Sequence, residues 1–196
     1  MDVAIIKYNA GNIYSVEHAL KRLGIEATLT DDPETITKAD KVIFPGQGEA
    51  SSTMQYLKER HLDELILNLK QPLLGICIGM QLMCRHSEEG NTDCLGIFDV
   101  DVKRFLPQQH ADKVPHMGWN NVHHTGDALF PTAISDAYFY FIHSYYVPLC
   151  NETIATADYI HPFSAALRKD NFYATQFHPE KSGLAGEQLL THFLKL

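Results

Sequence analysis

The first part of the chain alternates short strand-like runs with stretches in which apolar residues recur at helical spacing. The runs occupy residues 3–6, 27–30, 41–44 and 72–76. A turn is predicted at residues 9–12, and the apolar residues that follow it lie three or four positions apart: Val16, Ala19, Leu20 and Leu23. Residues 50–69 form a longer helical stretch, which we expect to break near His61. Strands and helices in this order predict a parallel sheet with helices on both faces.

The rest of the chain is mostly strand-like, after a further helix predicted to begin within residues 80–85 and to carry Cys84. Its strand-like runs occupy residues 100–105, 120–124, 138–144, 154–159, 165–169 and 172–177. Turn residues rather than helices separate them, so we expect antiparallel strands added to the parallel sheet. A helix at 184–196 closes the chain, with Leu189, Leu190 and Phe193 on one face. The pattern predicts one α/β domain over residues 1–196, built on an open, mostly parallel sheet.

Charge and composition argue against several classes of function. The net charge is −8, a poor electrostatic match for nucleic acid or an anionic membrane surface. We find no apolar run long enough to span a bilayer and no segment with the pattern of a secretory signal. The four cysteines form no CxxC pair, so we expect reduced thiols in a cytoplasmic protein, one of them present for its chemistry.

The sharpest local feature is Gly75-Ile76-Cys77-Ile78-Gly79, between a predicted buried strand and a predicted helix. This is the strand–elbow–helix arrangement of a nucleophile elbow, with cysteine as the nucleophile. Such a turn raises the sulfur above the strand ends and places it at a helix N-terminus, which favours the thiolate. The backbone N–H of Ile78 can donate to an oxyanion. A buried core cysteine between two packing glycines is the alternative interpretation.

A thiol nucleophile needs a base, and two histidines compete for that role. His178 follows a strand-like run, and Pro179 stiffens its link to Glu180, which could accept a hydrogen bond from one ring nitrogen. His143 ends the aromatic strand at residues 138–142. From the residues alone, His178 and Glu180 could equally lie in an exposed loop.

The sequence Pro45-Gly46-Gln47-Gly48 follows the strand-like run at 41–44. Two glycines around one residue allow a backbone N–H to point into a cleft, or a peptide to flip. The plain alternative is a tight turn. We expect this loop to lie beside Cys77, because both follow strands of the parallel sheet.

These motifs together form a pattern. PGQG (45–48), GICIGMQ (75–81) and FHPE (177–180), in this order and at this separation, resemble the class I, or triad, glutamine amidotransferases. Within that family, the segments PHMGWN (115–120), YFYFIHSY (138–145) and FHPEKSG (177–183) are similar to the glutaminase subunits of imidazole glycerol phosphate synthase. The resemblance runs from the first strand to the last helix and implies a flavodoxin-like α/β fold.

The resemblance also implies a role for each matched residue. Cys77 would be the nucleophile, His178 the base and Glu180 its orienter. Backbone groups of Gln47, Gly48 and Ile78 would form the oxyanion hole, with Gln47 polar where an apolar residue would be unsurprising. The substrate would be bound by Gln81, Glu89, His143, Ser144 and Tyr145. On this interpretation His143 lies on the substrate side, which leaves His178 as the base.

The implied reaction is hydrolysis of glutamine to glutamate and ammonia through a thioester on Cys77, with no cofactor and no metal. Ammonia released to water becomes ammonium, so a biosynthetic glutaminase needs a docked acceptor enzyme. The resemblance identifies the acceptor as a separate (β/α)₈ cyclase subunit. With it the chain would form a heterodimer that makes imidazole glycerol phosphate and aminoimidazole carboxamide ribotide in histidine biosynthesis.

Three alternatives stay open at this point. The chain could be the glutaminase subunit of another amidotransferase, such as pyridoxal phosphate or anthranilate synthase, whose members differ in the oxyanion loop and around Trp119. It could be a thiol peptidase or redox protein, which would place a histidine close after the nucleophile, where this chain has Ile78. It could be a non-catalytic binding module, which would have no need of an intact triad. Only the glutaminases predict modification of Cys77 by an electrophilic glutamine analogue.

Overall fold

The computed structural model describes residues 1–8, 13–124, 126–130, 134 and 136–196, so the turn predicted at 9–12 lies outside the described residues. The strands are β1 (Val3–Ile6), β2 (Ala27–Thr30), β3 (Lys41–Phe44), β4 (Leu73–Ile76), β5 (Cys84–Ser87), β6 (Thr92–Asp93), β7 (Phe98–Arg104), β8 (His116–Asn121), β9 (His123–His124), β10 (Tyr138–His143), β11 (Tyr145–Tyr146), β12 (Thr153–Asp158), β13 (Pro162–Lys169) and β14 (Phe172–Thr175). The helices are α1 (Tyr14–Arg22), α2 (Pro33–Lys38), α3 (Ala50–Glu59), α4 (Leu62–Asn68), α5 (Ile78–Leu82) and α6 (Gly183–Lys195), with short 3₁₀ turns at Glu89–Asn91 and Pro179–Lys181.

The largest sheet contains eight strands in the order β2-β1-β3-β4-β14-β13-β12-β9. The first five pair in parallel, and β13, β12 and β9 continue the sheet antiparallel. The predicted mixed α/β sheet is thus confirmed. The expectation that residues 172–177 add an antiparallel strand is wrong, because β14 inserts beside β4 and runs parallel to it. As a result β3, β4 and β14 end side by side at one edge of the sheet.

Not every predicted strand joins this sheet. Strands β8 and β10 pair antiparallel with each other, and a further sheet has the order β11-β7-β5-β6. The runs predicted at 100–105 and 138–144 therefore lie outside the main sheet. Pairing between distant strands depends on tertiary packing, which local residue patterns do not encode.

One helix prediction needs correction. Helix α5 ends at Leu82, and Cys84 begins strand β5 rather than lying on the helix. Its pairing with Phe98 on β7 competes successfully with local helix propensity. Cys84 is fully buried, as expected of a core residue. The break predicted near His61 is confirmed, since His61 has a left-handed backbone (φ 54°) between α3 and α4.

The core divides into two apolar clusters, one on each face of the main sheet. Alternate side chains of β1 enter opposite clusters, with Ala4 and Ile6 in one and Val3 and Ile5 in the other. The first cluster includes buried residues of α3 and α4, and the second those of α1 and α6. Helices therefore cover both faces, as predicted. Among the described residues, no helix is long and apolar enough to cross a membrane.

Candidate active site

Cys77 forms the sharp turn between β4 and α5. Its backbone has φ 50° and ψ −106°, a conformation that residues with a side chain rarely adopt. The Cys77 N–H donates to the carbonyl of Thr175 on β14 at 2.7 Å, and its carbonyl accepts from the N–H of Gln81 at 3.1 Å. The turn is strained at the cysteine itself, and strained residues of this kind cluster at functional sites.

Glycines on either side let the Cys77 turn and the loop after β3 touch. A Cβ on Gly46 would lie 1.9 Å from the carbonyl oxygen of Ile76, and one on Gly79 would lie 2.3 Å from that of Phe44. Glycine is therefore needed at these two positions mainly because the two backbone segments approach too closely for a side chain. The contact confirms that the loop at 45–48 lies beside the cysteine, at the carboxyl edge of the sheet.

His178 is held at the same edge by its own backbone. Its N–H donates to the carbonyl of Tyr140 on β10 at 2.9 Å, and its carbonyl accepts from the hydroxyl of Ser182 at 2.6 Å. The ring Nδ1 lies 2.7 Å from Oε1 of Glu180. The side chains of His178 and Glu180 are only 2% and 4% exposed, so neither lies in a solvated loop.

Electrostatics favour a charged imidazole. Burial lowers the pKa of His178, but interactions with the Cys77 sulfur and the Glu180 carboxylate outweigh it and raise the pKa to about 10. The second carboxylate oxygen of Glu180 is buried and has no hydrogen-bond partner among the described residues. A charged His178 ring beside the Cys77 sulfur, with the carboxyl of Glu180 behind it, is the arrangement that a thiol nucleophile and its base require.

His143, the competing base, has both ring nitrogens engaged. Its Nδ1 donates to the carbonyl of Tyr145 at 2.7 Å, and its Nε2 lies 2.9 Å from Nδ1 of His116. Burial is the main reason that the pKa of His143 is lowered to about 3 and that of His116 to about 4. A neutral ring with no free nitrogen is poorly suited to accept the cysteine proton.

The predicted site residues lie together. A cavity of about 430 Å³ is lined by Gly46, Gln47, Gly48, Cys77, Ile78, Gln81, Glu89, Ile142, His143, Ser144, Tyr145 and His178. This set includes every predicted site residue except Glu180, which lies behind His178. The cavity brings a thiol, an imidazole and several polar groups to one place, as nucleophilic attack on a small polar substrate requires.

Known proteins resemble this chain over its full length. The family model "Glutamine amidotransferase class-I" matches residues 4–196. The chain belongs to the class I glutamine amidotransferase family. It is 66% identical over 196 residues to the imidazole glycerol phosphate synthase subunit HisH of Bacteroides thetaiotaomicron, and 46% identical over 198 residues to that of Escherichia coli K12, covering 100% of each chain in both cases.

Solved structures show the same fold at low sequence identity. A putative GMP synthase protein from Thermoplasma acidophilum superposes with a TM-score of 0.76 at 17% identity, over 100% of this chain and 92% of that one. A structure described as a glutamine amidotransferase gives a TM-score of 0.75 at 20% identity, over 98% and 97% of the two chains.

In this amidotransferase, Gln81 and Glu89 supply hydrogen-bond acceptors to the lining of the cavity. The side-chain N–H₂ of Gln81 donates to the carbonyl of Tyr145 at 2.9 Å and to Oε1 of Gln176 at 3.0 Å, which leaves its amide oxygen for a ligand. Burial raises the pKa of Glu89, whose carboxylate accepts from the Ala50 N–H at 2.9 Å. A half-buried carboxylate and an amide oxygen that line the same cavity suit a ligand ammonium group.

The loop after β3 is anchored by a residue that sequence reasoning missed. The Tyr8 hydroxyl donates to the carbonyl of Pro45 at 2.5 Å and accepts from the N–H of Gln47 at 3.3 Å. Burial raises the pKa of this phenol, so it stays protonated. In this conformation the Gln47 N–H donates to the Tyr8 hydroxyl. It must leave that hydroxyl before it can donate to an oxyanion. The role predicted for Gln47 therefore depends on loop movement.

A second missed residue touches the sulfur. Gln176 is fully buried, and its Nε2 donates to Sγ of Cys77 at 3.6 Å. The sequence placed Gln176 in a strand just before His178 and gave no sign that it contacts Cys77, which lies 99 positions away.

Proposed function

We propose that this chain is the glutaminase subunit of imidazole glycerol phosphate synthase. Two observations support the proposal. Cys77 and His178, with Glu180 behind His178, meet at one cavity whose lining also carries acceptor groups. The relatives that match over their full length are described as subunits of that synthase. In this role Cys77 is the nucleophile, His178 the general acid and base, and Glu180 the orienter of His178.

The first half of the reaction forms a thioester. The glutamine ammonium group binds at Gln81 and Glu89, which directs its side-chain amide towards Cys77. The thiolate adds to the amide carbon, and backbone N–H groups of the 46–48 loop and Ile78 stabilise the oxyanion. His178 donates its proton to the amide nitrogen as the C–N bond breaks, so ammonia leaves and a γ-glutamyl thioester remains.

The second half restores the enzyme. His178, now neutral, takes a proton from water, and the hydroxide adds to the thioester carbon. The C–S bond breaks, glutamate leaves, and the thiolate–imidazolium pair re-forms. Glu180 stabilises the imidazolium in both halves and holds the ring in one orientation. Every step uses side chains and backbone groups of this chain.

The ammonia acceptor docks on an apolar face beside the cavity. Met117 and Trp119 on β8 and Tyr138 on β10 share this face and are 60%, 57% and 60% exposed. Ile142, on the same face of β10, lines the cavity. Three large exposed apolar side chains on a two-stranded ribbon are typical of a protein interface. The (β/α)₈ cyclase subunit is the partner we propose, in a heterodimer that shields ammonia from water.

Gating follows from the loop after β3. With the Gln47 N–H held by Tyr8, one oxyanion donor is missing, which lowers the rate by about 10²–10³-fold. Partner and acceptor ligand shift the loop towards the conformation that supplies the donor. Hydrolysis is therefore slow in the free chain and fast in the complex.

The test uses the purified chain with its candidate acceptor. An electrophilic glutamine analogue should modify Cys77 at one equivalent, and glutamine should support the acceptor only when the chain is present. Free ammonia at high pH should support the acceptor without the chain. An acceptor that turns over with glutamine alone would exclude this function, as would a chain that fails to hydrolyse glutamine with the acceptor bound.

A further inference from the structure

Gln176 is fully buried, and its side-chain amide contacts the Cys77 sulfur, which in the thiol form also donates to the carbonyl of Ile142 at 3.8 Å. Its Nε2 donates to Sγ at 3.6 Å, a distance longer than that of an N–H···O bond because sulfur is the larger acceptor. We propose that Gln176 is a hydrogen-bond donor to the Cys77 thiolate, and that Gln81 fixes the direction in which it donates. The proposal deepens the function given above by adding a group that contacts the reacting atom.

The direction of the Gln176 amide matters because its two ends have opposite polarity. With nitrogen towards Cys77 it stabilises negative charge on sulfur, and with oxygen towards Cys77 it would repel that charge. Gln81 decides between the two, since its N–H₂ donates to Oε1 of Gln176 at 3.0 Å. If the Gln176 amide were flipped, its N–H₂ group would face the N–H₂ group of Gln81, and two buried donors facing each other are unfavourable.

Gln81 is held in turn by Tyr145, the first residue of strand β11. Its second proton goes to the carbonyl of Tyr145, which also accepts from Nδ1 of His143. Both donors of Gln81 are thus committed to protein groups, and only its oxygen faces substrate. The same side chain that binds the glutamine ammonium group therefore orients the donor to the nucleophile.

Alkylation of Cys77 by iodoacetamide tests this link without involving glutamine. In Gln176→Met, which keeps the side-chain length but removes the donor, we expect the alkylation rate at pH 7 to fall roughly three- to tenfold. The pH profile of alkylation should move to higher pH. Gln188→Met, on the exposed surface of α6, is the matched control and should react at the wild-type rate.

A second pair of variants separates donation from simple packing. Gln176→Glu keeps the shape of the side chain but brings an acceptor to the sulfur, so alkylation at pH 7 should fall further than in Gln176→Met. Gln81→Met should lower alkylation less than Gln176→Met, because the donor remains but is no longer oriented. The double variant Gln81→Met/Gln176→Met should match Gln176→Met alone.

Two results would overturn the proposal. One is a wild-type alkylation rate and pH profile in folded Gln176→Met. The other, if both variants fold, is faster alkylation of Gln176→Glu than of Gln176→Met. If Gln176→Met does not fold, Gln176→Glu decides alone: slower alkylation than wild type supports the proposal, and alkylation at the wild-type rate overturns it. Glutamine turnover by the wild-type complex is measured in parallel. Its absence would contradict the proposed function, whereas the alkylation comparison tests Gln176 by itself.

Discussion

Within the triad, each residue has a distinct physical task that mutation can separate. Cys77→Ala removes the nucleophile, so we expect glutamine hydrolysis to fall by on the order of 10⁴-fold or more, with the fold and partner binding intact. His178→Ala should be as severe, because the ring carries the proton in both halves of the reaction. The rate of glutamine hydrolysis should fall about 10²-fold less in Glu180→Ala than in His178→Ala, since an orienter is less essential than the base.

Steady-state hydrolysis in the presence of the partner measures these effects, and circular dichroism controls for folding. His143→Ala is the informative comparison because both of its ring nitrogens are already bonded. The assignment fails if activity is lost in His143→Ala while His178→Ala remains active.

The buried histidine pair makes stability depend on pH. His116 and His143 have pKa values lowered to about 4 and about 3, below the 6.5 of an unfolded chain. The unfolded state therefore binds more protons between these values. The contribution of this pair to stability is fully present above pH 6.5 and falls as pH decreases towards 4, approaching a slope of about 2.7 kcal/mol per pH unit for two protons.

Urea unfolding between pH 5 and pH 7 measures this slope. His116→Phe keeps an aromatic ring between Phe141 and Tyr159 but removes one titrating group, so the slope should fall by about half. His110→Gln, at an exposed position, is the control and should leave the slope unchanged. Equal slopes in wild type and His116→Phe would refute the assignment of neutral buried rings.

Among the elements, helix α6 fixes the position of the His178–Glu180 turn. A Cβ on Gly186 would lie 1.9 Å from the carbonyl oxygen of Pro179, between the two triad residues. Gly186→Ala must push the helix or the turn aside, so we expect a loss of roughly 1–3 kcal/mol in unfolding free energy together with reduced hydrolysis. Gly24→Ala is the control: its left-handed backbone costs about 1 kcal/mol, but its Cβ meets nothing within 4 Å.

Chemical denaturation and hydrolysis assays are compared for both variants. Gly24→Ala should lose stability without losing activity. A Gly186→Ala protein with wild-type stability would show that the close approach of α6 and Pro179 is not required.

The loop after β3 gives a second prediction for an element. Tyr8→Phe removes the hydroxyl that holds the Pro45 carbonyl and the Gln47 N–H. The Gln47 peptide then flips more easily, so hydrolysis by the free chain should rise by about tenfold and the stimulation by the partner should shrink. Hydrolysis rates with and without partner and acceptor ligand measure both. Unchanged basal hydrolysis in Tyr8→Phe would show that Tyr8 does not restrain the loop.

For the whole molecule, the central prediction is that hydrolysis and ammonia transfer can be uncoupled at the apolar face. Trp119→Ala should weaken binding of the cyclase subunit by about 10–100-fold, because large aromatic residues dominate such interfaces. Hydrolysis by the free chain should be unaffected, since Trp119 is not in the cavity lining. Leu67→Ala, which removes an exposed apolar side chain on α4, is the control. Undiminished binding in Trp119→Ala would place the interface elsewhere.

Local pattern was enough to predict the parallel strands β1 to β4, the elbow at Cys77 and the helix face of Leu189, Leu190 and Phe193. Each of these depends on residues close in sequence, through periodicity, glycine placement or the strand–turn–helix order. Family resemblance supplied the residues that the structure places around one cavity. The variants at Cys77, His178 and Glu180 test whether those residues act as predicted.

Tertiary structure alone decided which strands pair and which buried groups meet. Strand β14 lies beside β4, Cys84 begins a strand, and Gln176 and Tyr8 reach the site from distant parts of the chain. The sequence by itself determined strands β1 to β4, the elbow at Cys77 and the apolar face of α6, because these follow from local backbone preferences and apolar periodicity. The partners of each buried amide, phenol and imidazole were decided only on folding, because a hydrogen bond across 39 or 99 positions leaves no periodic trace in the sequence.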